Sequence, residues 1–198
     1  MHIRRLVAFL LGAWMLGTGF MAYVAVHNLR SVDTLLNAPP VKASPMLGLL
    51  GQNDARLLLH HQVSQLNRDY FLRWEQTEIL IGVLTIFFLV FATPLRLLPV
   101  GIATLATVVV LFLHFFISPE IRYLGESLDF VAITAGEGLR SKMWALHQVY
   151  TAATLVKLAV CGVLMAYLLW FRERAVRRRR VVSELDASDS AHVTQAVR

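Results

Sequence analysis

The chain has 198 residues, of which 57% are hydrophobic and only 16% charged. Four apolar runs of about 20 residues each, with the loops between them, use up this length and leave no room for a separate soluble domain. The formal net charge of +6 would fit nucleic acid in a soluble protein. Here the basic residues gather beside apolar runs, so they read as topology signals and lipid contacts, and nucleic acid is set aside.

His2, Arg4 and Arg5 precede the first run, residues 6–26. A basic start and an apolar core also describe a cleaved signal peptide. This run continues past the usual signal core, and no small-x-small cleavage site follows, so it is expected to stay as a span. Gly12, Gly17 and Gly19, with Ala13 and Ala22, would let a neighbouring helix or subunit approach closely. Glycine is also simply common in membrane helices.

Ala38-Pro39-Pro40 and Pro45 then break the chain. A helix is expected from Asn53, with Asp54 early and Leu57, Leu58, His61, Leu66, Tyr70 and Trp74 at roughly helical spacing. It either lies on the outer membrane surface or continues straight into the second span, residues 77–95. The tandem His60-His61 invites a metal, but adjacent helical residues point about 100° apart and rarely share one ion. A surface role is expected instead.

Thr93-Pro94-Leu95-Arg96-Leu97-Leu98-Pro99 reads as a tight hairpin into the third span, residues 99–118. Ser118 and Pro119 look like the N-cap and first-turn proline of another short helix, running to about Phe130. Gly136 and Gly138 should break the chain before the fourth span, residues 148–171. Arg172, Arg174 and the run Arg177, Arg178, Arg179 and Arg180 follow, placed to meet anionic lipid headgroups or to anchor the topology. Residues 181–198 are polar and rich in small side chains, so disorder is expected there. The lone cysteine, Cys161, lies inside the fourth run and cannot form an intramolecular disulfide.

The N-terminal basic residues, Arg96 and the arginine run would share one side of a four-span chain, the cytoplasmic side. The expected architecture is all-α: an antiparallel four-helix membrane bundle over 1–180, with a short extra helix in each external loop. Both termini would be cytoplasmic.

Ionisable groups inside spans are costly and mark function by default. Glu75, Glu78, Gly82 and Thr85 form one stripe; Thr104, Thr107, Leu111, His114 and Ser118 a second; His147, Tyr150, Thr154, Lys157 and Cys161 a third. Lys157 lies about 15 Å below His147 by helix rise. The stripes predict an outward-opening polar pocket with Lys157 at its floor and Glu78, His114 and His147 around its mouth. Glu75, Tyr150 and Thr154 complete it.

Several uses compete. The bland one is interhelical hydrogen bonding, worth about 0.5–2 kcal/mol per contact. A b-type haem held by His114 and His147 is chemically sound. So is a divalent metal on the histidines with Glu75 or Glu78, or a small anion countered by Lys157. No nucleophile with an oriented base, zinc-protease helix or phosphate loop is present, so enzyme activity has no positive support. The leading reading is a non-enzymatic membrane protein that binds a ligand or partner or serves as a subunit of a membrane assembly. The alternative is a haem-binding redox protein.

His114 with Pro119 five residues on, then Trp144-Ala145-Leu146-His147, with Tyr150 and Thr154 beyond, resemble the bacterial four-helix membrane family called domain of unknown function 4149. That family is similar to the eukaryotic transmembrane protein 205 group. In it a histidine near the end of the third span precedes a proline, and a Leu-His pair opens the last span. A serine and then an asparagine typically follow, where this chain has Tyr150 and Thr154. The stretch 67–82, with Tyr70-Phe71 and Trp74-Glu75, is similar to the family's second span at its start. The resemblance covers most of spans two to four. It implies a four-span fold in a bacterial inner membrane and significance for His114 and His147, but no reaction.

The topology is checked by single cysteines at Pro40, Leu97 and Leu185. An impermeant reagent added outside the cell should label position 40 alone. Labelling at 97 would reverse the topology.

Overall fold

The computed structural model describes the backbone of residues 2–41, 43–92, 97–131 and 136–196, and side chains as far as Trp170 apart from those of His2, Met46 and Ala92. Regular structure among the described residues is all helical: α1 (His2–Asn37), α2 (Ser44–Leu50), α3 (Gln52–Ala92), α4 (Leu97–Phe112), a π-helical turn (Leu113–Ile117), α5 (Ser118–Leu128) and α6 (Glu137–Ala196).

Four helical stretches are long and apolar enough to cross a membrane: Ile3–Asn37, Gln52–Phe91, Leu97–Leu128 and Glu137–Trp170. Their 32 to 40 residues extend roughly 48–60 Å at 1.5 Å per residue. A hydrocarbon core is about 30 Å thick, so each has length to spare.

The helices run on beyond the expected span boundaries. The helix expected from Asn53 runs unbroken into span two, because no Gly or Pro stands between Gln52 and Ile81. Span one likewise continues past residue 26 to Asn37. Ser118 does not cap a new helix: its backbone is helical and its N–H bonds the Leu113 carbonyl. Pro119 has no N–H to offer and its ring crowds the preceding turn. The chain meets this by widening into the π turn and then carries on as α5. Gly136 breaks the chain, with φ 77°, but Gly138 lies within the first turn of α6. The tail expected to be disordered is helical as far as Ala196, with no Gly or Pro after Gly162 to end α6. The hairpin residues 93–96 and the side chains of Arg177, Arg178, Arg179 and Arg180 lie outside the described residues.

α1 packs against α3 and α6, α3 against α4, and α4 against α6. Between them lies an apolar core built on Val7, Leu11, Trp14, Leu89, Val110 and Leu164. A second, smaller core joins the C-terminal end of α1 (Val32, Leu36) to α2 and the start of α3 (Leu47, Ala55, Leu59). A polar layer divides the two. Asn28 Nδ2 donates to Asn67 Oδ1 at 2.9 Å, and Asn67 Nδ2 to the Ala25 carbonyl at 3.2 Å.

The tandem histidines diverge as their spacing requires. His60 Nε2 is 3.8 Å from Asp33 on α1, whereas His61 Nδ1 is 2.8 Å from Asp129 just beyond α5. Arg68 Nη2 also donates to Asp129, at 2.7 Å, and its guanidinium lies over Gly125. Phe130, in the left-handed region at φ 63°, places its ring on His61 with centroids 4.7 Å apart. These contacts clamp the end of α5 onto α3.

Two glycines set close helix approaches. A Cβ at Gly17 would overlap the Trp74 indole, and one at Gly82 would overlap the Thr107 hydroxyl and stand 3.1 Å from Trp14. Gly12 and Gly19 face open space. Overpacking a tight contact costs about 1–3 kcal/mol. Gly17→Ala should therefore lower the unfolding midpoint in detergent, while Gly12→Ala and Gly19→Ala leave it unchanged or raise it, since alanine favours the helix. Equal effects at the three positions would mean that Trp74 does not pack on Gly17.

Candidate functional site

Glu75 and Glu78 stand on one face of α3, one turn apart, and each is 1% exposed. A buried carboxylate is tolerated only when donors satisfy it. Each is satisfied by side chains arriving from other helices, which gives two polar layers.

The deeper layer centres on Glu78. Its Oε1 accepts from Thr18 Oγ1 of α1 at 2.7 Å, from Trp74 Nε1 at 2.8 Å, and from Lys157 Nζ of α6. Lys157 is also 1% exposed, and its Nζ lies 3.5 Å from Thr18 Oγ1. Thr18 is within reach of the Trp14 carbonyl as well, at 2.9 Å; its single proton serves one acceptor at a time. Trp74 lies four residues before Glu78, and the space above Gly17 lets its ring lie flat enough for the indole N–H to reach the carboxylate.

The shallower layer centres on Glu75. Its Oε1 accepts from Tyr150 Oη of α6 at 3.0 Å and from Ser118 Oγ at the start of α5. Its Oε2 is 3.0 Å from His114 Nδ1 on the π turn. An imidazole Nδ1–H donates to the carboxylate in this geometry. The π turn carries both His114 and, at its end, Ser118, and such turns occur frequently at functional sites.

Five of the expected pocket residues thus converge: Glu75, Glu78, His114, Tyr150 and Lys157. They close on one another rather than lining an opening. Lys157, expected as the counter-charge for a small anion, has its counter-charge in Glu78. His147 is exposed and enters no hydrogen bond, ion pair or ring contact among the described residues. It lies one turn outward of Tyr150, beyond the layer where α3 supplies carboxylates. Thr154 points a buried hydroxyl at no partner. Thr107 donates to its own helix at the Ala103 carbonyl, 2.9 Å away.

The two histidines expected as haem ligands share no partner: His114 is engaged by Glu75 and rests on Phe115, while His147 faces outward. Among the described residues no group of three His, Cys, Asp or Glu gathers to hold a metal ion.

Thr18 and Trp74 belong to the site, although neither was expected to carry polar work. A sequence signal existed for Thr18: it is the sole Ser or Thr in residues 6–26. Ser118 was on an expected stripe, but its role is to donate across to α3 and not to cap α5.

On the side of Lys157 away from Tyr150 the buried residues are mainly apolar, Leu89, Ala106, Cys161 and Leu164. Thr85 and Thr107 are buried there too, and the Thr85 hydroxyl has no partner among the described residues. No family model, curated protein or solved structure matches the chain.

Removing one member of a buried ion pair costs about 3–5 kcal/mol, whereas replacing both by apolar residues of similar volume is close to neutral. Lys157→Met should destabilise the protein by about that amount. Adding Glu78→Leu should restore most of the loss in equilibrium unfolding in detergent. Equal instability of the single and double variants would show that Glu78 is not the group that Lys157 neutralises.

Proposed function

We propose that this chain is a non-enzymatic, four-span protein of a bacterial inner membrane, engaged by a ligand or protein partner from its outer face. In this reading α1, α3, α4 with α5, and α6 form an antiparallel bundle with both termini cytoplasmic. The basic residues at positions 4, 5 and 172–180 support that side, and the packing of α1 on α3 and α6, with α4 between α3 and α6, supports a bundle. The run Arg177, Arg178, Arg179 and Arg180 then meets anionic headgroups of the inner leaflet. Membership of the four-span family called domain of unknown function 4149 belongs to the same proposal and brings no activity with it.

One observation carries the functional part. Two buried carboxylates are satisfied by side chains from every other long helical stretch, and in the proposed topology this chemistry faces the outer leaflet. No charged residue is buried beside the apolar core at Leu89 and Leu164 among the described residues, which argues against ion conduction. Burial of both carboxylates argues against a reaction in the closed form, because no reactant reaches them. A buried ion pair is also weak as a source of stability, since apolar residues of the same volume do as well. A centre of this kind has its value in specifying one arrangement and in being able to exchange its bonds for those of a ligand. Gly17 is used internally against Trp74, so only part of the span-one glycine stripe remains for a subunit contact.

Protein taken from its own membrane in a mild detergent should retain a ligand or partner. Removing it should lower the unfolding midpoint, and restoring it at about a hundred times its Kd should return about 2.7 kcal/mol. Glu75→Gln should abolish the response. A bare particle whose unfolding is unmoved by an extract of the native membrane would overturn the proposal.

A further inference from the structure

The face of α1 opposite the core forms one continuous line. Phe9, Leu16, Phe20, Tyr23, His27, Arg30 and Thr34 follow one another in steps of three, four or seven residues, and all are exposed. The residues that α1 buries, Val7, Leu11, Trp14, Thr18, Val32 and Leu36, lie on the other side of the helix. Along the exposed line the chemistry changes once. As far as Phe20 it is apolar. Tyr23 then stacks on His27 with ring centroids 5.7 Å apart. Beyond them is a surface cavity of about 390 Å³ lined by His27, Arg30, Ser31, Thr34 and Pro40, among others.

The cavity is cationic. Arg30 forms no ion pair or side-chain hydrogen bond among the described residues. The nearest acidic residue in sequence, Asp33, faces Arg56 and His60 on α3 at 3.9 and 3.8 Å. The hydroxyls of Ser31 and Thr34 donate to carbonyls of their own helix, so the donors left for an anion are the guanidinium and the imidazole.

We propose that this line binds one anionic phospholipid of the outer leaflet, its phosphate on Arg30 and His27 and an acyl chain along Tyr23 and Phe20. The charge is complementary, and a guanidinium holds a phosphate through paired N–H donors. The length also fits: ten residues separate Arg30 from Phe20, about 15 Å of helix, which is half of a hydrocarbon core of about 30 Å. The amphipathic Tyr23 ring sits where headgroup and chain meet, as aromatic residues do at membrane interfaces. The assignment to the outer leaflet rests on the proposed topology; the binding itself does not.

The full-length protein in detergent micelles, titrated with phosphatidylglycerol and observed by native mass spectrometry, tests this. One retained lipid is expected, bound about five-fold more weakly in Arg30→Gln, the effect of one basic residue at an anionic surface. Phosphatidylcholine should be retained less than phosphatidylglycerol. Phe20→Ala should weaken both lipids, and replacing Arg177, Arg178, Arg179 and Arg180 by Gln should leave this site filled. Arg30 is exposed, so its variant keeps the helical circular dichroism of the parent. Four results would each overturn the proposal: unchanged retention in Arg30→Gln, equal retention of the two lipids, equally tight binding of glycerol phosphate without acyl chains, or a dimer of the chain that excludes the lipid. None of these depends on the labelling pattern or on a ligand at the polar centre, so this proposal and the preceding one fail separately.

Discussion

An ammonium group buried at 1% exposure needs its opposite charge from within the protein, because burial strips it of bulk solvent. Lys157 and Glu78 supply each other, and much of the surrounding arrangement follows from holding that pair. The carboxylate has to be brought to the depth of the lysine, which fixes the height of α3 against α6. Its remaining capacity has to be filled, which draws Thr18 from α1 and the Trp74 indole into the same place. Trp74 can lie there only because position 17 has no side chain. An ion pair is thus converted into a register for three helices that would otherwise slide on apolar faces with little to choose between positions.

The layer above works differently. Glu75 has no permanent cation; its ionisable partner is His114, with two hydroxyls beside it. The deeper carboxylate faces an ammonium group, and the shallower one an imidazole and two hydroxyls. The stretch Leu97–Leu128 reaches Glu75 through the π turn, where Pro119 withholds an N–H. A local backbone constraint and a charged site therefore meet within six residues, from His114 to Pro119.

Much of the polar centre was legible in the sequence, because carboxylates and a lysine inside apolar runs have few innocent explanations. Glu75, Glu78 and Lys157 stood out on that ground, and spacing linked Tyr150 and His114 to them. Thr18 and Trp74 did not stand out, since a threonine bonding its own helix and a tryptophan in an amphipathic stretch are both ordinary. His147 was misplaced for a geometric reason: it shares a stripe with Tyr150 but lies one turn beyond the last carboxylate on α3. The four long apolar helices were plain from hydropathy. Their ends were not, because hydropathy marks where a helix ceases to be apolar and only Gly, Pro or a cap marks where it stops. The absence of such residues from 52 to 81 and after 162 lets α3 and α6 run on.

That unbroken run of α3 has a mechanical consequence. From Gln52 to Glu75 it is a single rod, about 35 Å long by helix rise. Its first turns pack on the small core at Val32, Leu36 and Leu47, and the clamp at Asp129 holds it further along, at His61 and Arg68. A rod of that length acts as a lever. A tilt of about 5° pivoting at the far end displaces the carboxylates by roughly 3 Å, which is as long as a hydrogen bond. Contacts made at the start of α3 therefore bear on the position of the carboxylates buried further along it.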